Sequence, residues 1–218
     1  MKIKLTILFL FVASTNLYAQ KGFPFENEIR AFKRQDSISF PPKNGILFIG
    51  SSSIRKWTDL ELRFAGKPII RRGVGGCELW QLVDFYMPYI LFPYHPRKIF
   101  IYAGDNDIAE GKSSEFVFQE FKQLLKLIHE QLPDAKVYFM SIKKCPSRAK
   151  YYEEVVKANE LIKHYLANKS KSVYIDLNTI ILKKNSTTPD SALFEADYLH
   201  LNRIGYNRWQ KVLEPYVN

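Results

Sequence analysis

The chain has 218 residues, 46% hydrophobic and 15% aromatic, which fits one domain with a full-sized core. Its formal charge is +10, but the basic residues are dispersed in pairs: Lys33-Arg34, Arg71-Arg72, Lys143-Lys144 and Lys183-Lys184. No long basic run or zinc-finger spacing marks a nucleic-acid module, and the charge reads as solvated surface, with attraction of acidic substrates as the alternative.

Residues 1–19 read as a secretory signal peptide. Lys2 and Lys4 form a basic start, Leu5 to Val12 an apolar run too short for a comfortable membrane span, and Ala19 a plausible cleavage site. Export to the periplasm or the cell exterior is therefore expected, without stable membrane insertion after cleavage, and residues 20–218 are expected to form a single domain. With Lys2 and Lys4 gone, 30 basic residues face 22 acidic ones. Cys77 and Cys145 make no disulfide framework. Export would permit one bridge, but two separate, partly buried thiols is the preferred reading. No Cys/His set has zinc spacing, and neither a metal nor another cofactor is expected.

Glu26 to Gln35 carries a weak helical pattern, ended by the Pro41-Pro42 punctuation. Five short apolar runs follow. They are Ile46 to Ile49 ending at Gly50, Pro68 to Ile70 leading to Gly73, Lys98 to Tyr102 ending at Gly104, Lys136 to Met140, and Ser172 to Asp176. Each is rich in β-branched or aromatic residues, as buried parallel strands are. Between them lie helical segments: Glu78 to Ile90, Ser114 to Leu132 closed by Pro133, and Tyr152 to Leu166. Asn202 can cap a last helix running through Val217. Strand–helix alternation of this kind predicts an α/β domain with a parallel sheet covered on both faces.

Ligands of such sheets sit outside the carboxyl ends of the strands, so chemistry is sought just after each apolar run. The first run ends Gly50-Ser51-Ser52-Ser53. A serine on a turn between strand and helix exposes its hydroxyl beside converging N–H groups, although the same residues could simply cap a helix. The second ends Gly73-Val74-Gly75-Gly76, which allows close backbone approach or is a plain turn. After the third, Asn106 could donate to an oxyanion. Asp105 and Asp107 could ligate a cation, but no further acidic cluster supports a metal cage. Near the end, Asp197 precedes His200 by three residues and could fix its tautomer, leaving the other ring nitrogen for a serine proton. His129 and His164 fall in helical stretches, and His95 lies in a loop without a paired acid.

In this order the strings resemble the conserved blocks of the SGNH hydrolases, also called the GDSL-like lipase/acylhydrolase family. The resemblance rests on Gly50-Ser51-Ser52, the loop ending at Gly76, Gly104-Asp105-Asn106-Asp107 and Asp197-Tyr198-Leu199-His200. It spans residue 45 to the C-terminus and looks most like the branch related to platelet-activating-factor acetylhydrolase. It implies a flavodoxin-like three-layer α/β/α sandwich with a five-stranded parallel sheet. It implies Ser52 as nucleophile, His200 as base and Asp197 as its orienting acid. The implied oxyanion hole comprises the Ser52 and Gly76 N–H groups and the Asn106 side chain. The implied activity is hydrolysis of short acyl esters, with acetylated carbohydrates as first substrate class. A lysophospholipase- or thioesterase-like enzyme is the alternative, and a non-catalytic glycan-binding module the alternative of another kind. Two departures stand out. Ser51 replaces the usual aspartate of block one, which leaves Ser51 and Ser53 open as nucleophiles. Arg72 replaces a frequent asparagine in block two, where it could alter loop bracing or place a cation near the pocket. Trp57, Trp80, Tyr86 and Tyr89 could line a sugar-facing cleft or pack the core, and the stretch from Phe85 to Phe92 could face an acyl chain.

Overall fold

The five apolar runs become five parallel strands: β1 (Ile46–Gly50), β2 (Ile69–Gly73), β3 (Lys98–Tyr102), β4 (Lys136–Met140) and β5 (Ser172–Ile175). The computed structural model describes residues 24–218, and within residues 87–90 the backbone only. The signal-peptide segment and the side chain of Tyr89 thus lie outside the described residues. The strand order is β2-β1-β3-β4-β5, the flavodoxin-like arrangement. Ile46 stands level with both Ile69 and Lys98, so β1 and β3 end side by side where the order reverses.

Side chains alternate across this sheet, and each face buries its own core. Leu47, Ile49, Ile99, Ile101, Val137 and Phe139 face one side. Ile46, Phe48, Phe100, Tyr138 and Met140 face the other, where the Phe48, Phe100 and Tyr138 rings stack at 4.4 and 4.6 Å. α1 (Glu26–Ile38), α7 (Ser114–Gln131) and α8 (Tyr152–Leu166) belong to the first face. Val117, Phe121, Leu124 and Ile128 form the buried stripe of α7, and Ser113 caps it by accepting from the Phe116 N–H at 3.2 Å. α9 (Arg203–Val217) covers the second face, and the Asn202 side chain caps it by accepting from the Ile204 and Gly205 N–H groups.

The structure departs from the sequence reading in several places. The expected helix from Glu78 to Ile90 is α4 (Leu79–Gln81), a wider π-helical stretch (Leu82–Leu91) and α5 (Phe92–Tyr94). Pro88 and Pro93 remove two N–H donors there, so a regular i→i−4 ladder cannot run through the segment. Asp176 lies outside β5, where its carboxylate accepts from the Asn178 and Thr179 N–H groups. Three short helices unmarked by the periodicity follow strands or loops: α2 (Ser52–Arg55), α3 (Leu60–Arg63) and α6 (Asp105–Ala109). Cys77 and Cys145 are buried and unbridged. Two of the paired cations are not solvated. Arg72 is buried against Asp36 and Tyr94, which ties α1 to the sheet edge rather than lending charge to a pocket. Lys143 is 1% exposed. Among the described residues no helix is long and apolar enough to cross a membrane.

Candidate active site

The site begins where β1 must turn sharply. Gly50 has φ +124°, and a Cβ there would lie 1.8 Å from the Tyr102 carbonyl oxygen of β3, so only glycine fits. The next N–H, of Ser51, donates to that same oxygen at 2.9 Å. The chain then enters α2, a single turn, so local N–H groups rather than a helix dipole serve this site.

The three serines have three different partners. Ser51 is buried, its hydroxyl 3.5 Å from Asp105 Oδ1. Ser53 is buried and accepts from Lys143 Nζ at 3.2 Å. Ser52 is half-exposed, with its Oγ 2.8 Å from His200 Nε2. His95, His129 and His164 serve elsewhere. His95 follows α5, His129 lies on α7, and His164 is exposed on α8 beside Glu160.

His200 is oriented by a turn that closes on itself. Asp197 Oδ1 accepts from the Leu199 and His200 N–H groups, each at 2.9 Å, and Oδ2 lies 2.6 Å from His200 Nδ1. Tyr198 takes a left-handed backbone, φ +52°, and the Glu195 N–H donates to the His200 carbonyl at 2.8 Å. Burial would raise the Asp197 carboxyl, but hydrogen bonds from the His200 ring and from the His200 and Leu199 N–H groups outweigh it and hold it well below the usual carboxylate range. An ionised carboxylate accepts only, so Nδ1 carries the proton and Nε2 is left to accept from Ser52.

The remaining polar groups converge from β2 and β3. Gly73 packs so closely on α2 that a Cβ would lie 2.3 Å from the Arg55 nitrogen. At the end of the same loop, Gly76 has φ +76° and open space where a Cβ would stand. The Asn106 Nδ2 donates to the Cys77 carbonyl at 2.9 Å, joining the two loops. Among the described residues no protein acceptor takes the N–H of Ser52 or Gly76.

Beneath these loops lies a buried charge cluster. Lys143 Nζ reaches Tyr102 Oη at 2.9 Å and Asp105 Oδ2 at 3.3 Å, and Tyr102 Oη donates to the same carboxylate at 3.0 Å. Burial alone would raise the Asp105 carboxyl. The Lys143 and Arg148 charges and the Tyr102 and Lys143 hydrogen bonds reverse that and place it below its ordinary value. Asp107 is different: its two oxygens accept from one N–H, of Leu79, at 3.1 Å, and burial pushes its pKa up to about 7. Both aspartates thus brace loops. Glu195, Asp197 and His200 offer ligand atoms within 4.8 Å of one another, but the Lys56 ammonium already supplies the cation there, 2.6 Å from Glu195 and 3.9 Å from Asp197.

The structure therefore brings Ser52, His200 and Asp197 into one hydrogen-bonded line and joins Asn106 to the loop that carries Gly76. Sequence reasoning passed over Lys56, Lys143, Arg148, Glu195 and Tyr206, whose hydroxyl donates to the Ser53 carbonyl at 2.9 Å. Lys143 follows the end of β4, so the strand-end rule applied to the fourth run would have flagged it. The aromatic candidates divide. Trp57 and Tyr86 are core residues, Trp57 stacked on Tyr206 at 4.8 Å, whereas Trp80 is half-buried beside Phe85 and Lys112.

Comparison with known proteins adds to this geometry. The sequence profile of the GDSL-like lipase/acylhydrolase family matches residues 36–208. No curated protein matches the chain. Among solved structures, a Streptococcus pneumonia protein provisionally named a platelet activating factor superposes with a TM-score of 0.77 at 21% identity, over 88% of this chain and 92% of that one. A GDSL-like lipase from Bacteroides thetaiotaomicron gives 0.71 at 17% identity, over 87% and 96%. A carbohydrate esterase family 3 protein from Talaromyces cellulolyticus gives 0.64 at 14% identity, over 79% and 95%.

Proposed function

From its membership of the GDSL-like lipase/acylhydrolase family, which makes this chain a carboxylic ester hydrolase, we propose that it is an exported serine esterase that removes short acyl groups, acetyl first, from carbohydrate esters. The reading is carried by one observation: Ser52 Oγ lies 2.8 Å from His200 Nε2, whose other nitrogen lies 2.6 Å from Asp197. That contact gives the nucleophile a base and the base a fixed tautomer.

In the proposed reaction His200 Nε2 takes the Ser52 proton as Oγ attacks the ester carbonyl. Negative charge develops on the carbonyl oxygen, and the Ser52 and Gly76 N–H groups and the Asn106 amide receive it. The C–O bond to the alcohol breaks, and His200 returns the proton to the leaving oxygen. Water, deprotonated by His200, then attacks the acyl-enzyme, releasing the acid and restoring Ser52.

The carbohydrate assignment is supported by the likeness in fold to a carbohydrate esterase. Export is supported by the basic, apolar and small-residue order of residues 1–19. Ser52→Ala is expected to abolish p-nitrophenyl acetate hydrolysis and fluorophosphonate labelling. Retained turnover would overturn the assignment, and a wild-type protein that resists the probe and turns over no ester would favour a glycan-binding module. Acetylated sugars assayed beside esters of rising chain length should give the highest kcat/KM for the sugar acetates. A preference for long chains would move the reading to a lysophospholipase-like enzyme.

A further inference from the structure

The Asn106 carboxamide is held by two groups that can each bond in only one sense. Arg148 offers N–H donors alone, and its NH2 group lies 2.9 Å from Asn106 Oδ1. The Cys77 carbonyl only accepts, and it takes an N–H of Asn106 Nδ2 at 2.9 Å. Both therefore demand the same amide orientation. A flipped amide would set Nδ2 against a guanidinium and Oδ1 against a carbonyl. One Asn106 N–H is bonded to Cys77, which leaves the second for an oxyanion.

Arg148 is itself fixed. Its NH1 group donates to the Asp105 carbonyl at 2.7 Å and lies 3.6 Å from Asp105 Oδ2. The guanidinium thus clamps two consecutive residues, one by its backbone and the next by its side chain. Its side chain is only 21% exposed, so solvent screens the contact with Asn106 incompletely. A cation on Oδ1 also polarises the carboxamide and makes the opposite N–H a stronger donor.

We infer that Arg148 is a positioning residue of the esterase, acting through Asn106 to lock and polarise the side-chain donor of the oxyanion hole. This rests on the serine-esterase reading above. Such a role strengthens an interaction made in the transition state, so its loss falls on kcat rather than KM.

The test is a double-mutant cycle on p-nitrophenyl acetate with Arg148→Ala, Asn106→Ala and the pair, and with Ser52→Ala as reference. Arg148→Ala is expected to lower kcat by about tenfold or more, less than the hundredfold or greater loss typical of deleting an oxyanion donor. KM should stay within about twofold, and added guanidinium should restore part of kcat. In the Asn106→Ala background the same substitution should change kcat by less than about twofold, because the group it acts through is gone. Losses that multiply in the double variant, or an Arg148→Ala enzyme with wild-type kcat, would overturn the inference. If Arg148→Ala is poorly folded, Arg148→Lys serves in the same cycle, with the same non-multiplying result expected. An inactive Ser52→Ala beside an unaffected Arg148→Ala refutes this inference alone, whereas an active Ser52→Ala refutes the esterase reading itself.

Discussion

The two sides of the site are built on opposite principles. On the serine side, Ser51, Ser53, Asp105, Asn106, Asp107 and Lys143 are all buried, and most of their partners come from distant parts of the chain. On the histidine side, Asp197 and Tyr198 are exposed, and the turn is held mostly by hydrogen bonds spanning two to five residues, with the Ser147 N–H and hydroxyl reaching the Tyr198 carbonyl from 51 residues away. The serine side is as rigid as the core that carries it. The histidine side is a mainly local device set against that core, joined by the Ser52–His200 contact, the Lys56–Glu195 ion pair, the Ser147 bonds to the Tyr198 carbonyl and the seating of Phe194 and Leu201 in the core. Damage to the buried supports of the first side, Asp105 and Lys143, should therefore appear in stability, and damage to the second side in rate.

The largest effect is expected on the exposed side. Asp197→Asn keeps the shape but favours the wrong imidazole tautomer, and kcat should fall about 10⁴-fold while the melting temperature moves little. A large loss of stability in that variant would break the contrast. On the buried side, Lys143→Met leaves Asp105 as a buried charge without its nearest cation, and unfolding in denaturant should show a loss of about 3–5 kcal/mol. Adding Asp105→Asn should recover much of that loss. A Lys143→Met protein as stable as wild type would place the cluster outside the load of the fold.

A pH series sharpens the same point. Asp107 titrates near 3.8 when unfolded and near 7 in the native protein, because it is buried. Between these values the native state holds a proton that the unfolded chain has shed, so stability should fall as pH climbs from about 4 to 7 and level off above. Asp107→Asn should remove that part of the slope, as measured by denaturant midpoints across the range. The smallest effect belongs to Lys56→Ala. Its half-exposed pair with Glu195 should be worth about 0.2–1 kcal/mol and fade with added salt.

The same division explains what could be read before the fold was known. The Asp197–His200 pairing is local, so its chemistry was legible in four consecutive residues. The strands were legible because buried parallel strands are short apolar runs. The serine register was legible only through the family resemblance, which points to Ser52 and leaves Ser51 and Ser53 open; in the fold Lys143, 90 residues beyond Ser53, bonds Ser53, and His200 bonds Ser52. Lys143-Lys144 read as a solvated pair because nothing in a dipeptide reports that one member follows a buried strand end and meets Asp105. The stretch from Glu78 looked like an ordinary helix because Leu82–Leu91 is apolar almost throughout and carries little period of its own, and only the two prolines hint at the change.

Ser52 and His200 stand 148 residues apart, and the last strand closes at Ile175. A chain leaving the ribosome thus has Ser52 and its entire sheet before His200 is added. In the proposed mechanism a chain cut before His200 holds the nucleophile but no base, and it is expected to cleave no ester. Acyl release would then report that the segment after β5 has docked on the finished sheet.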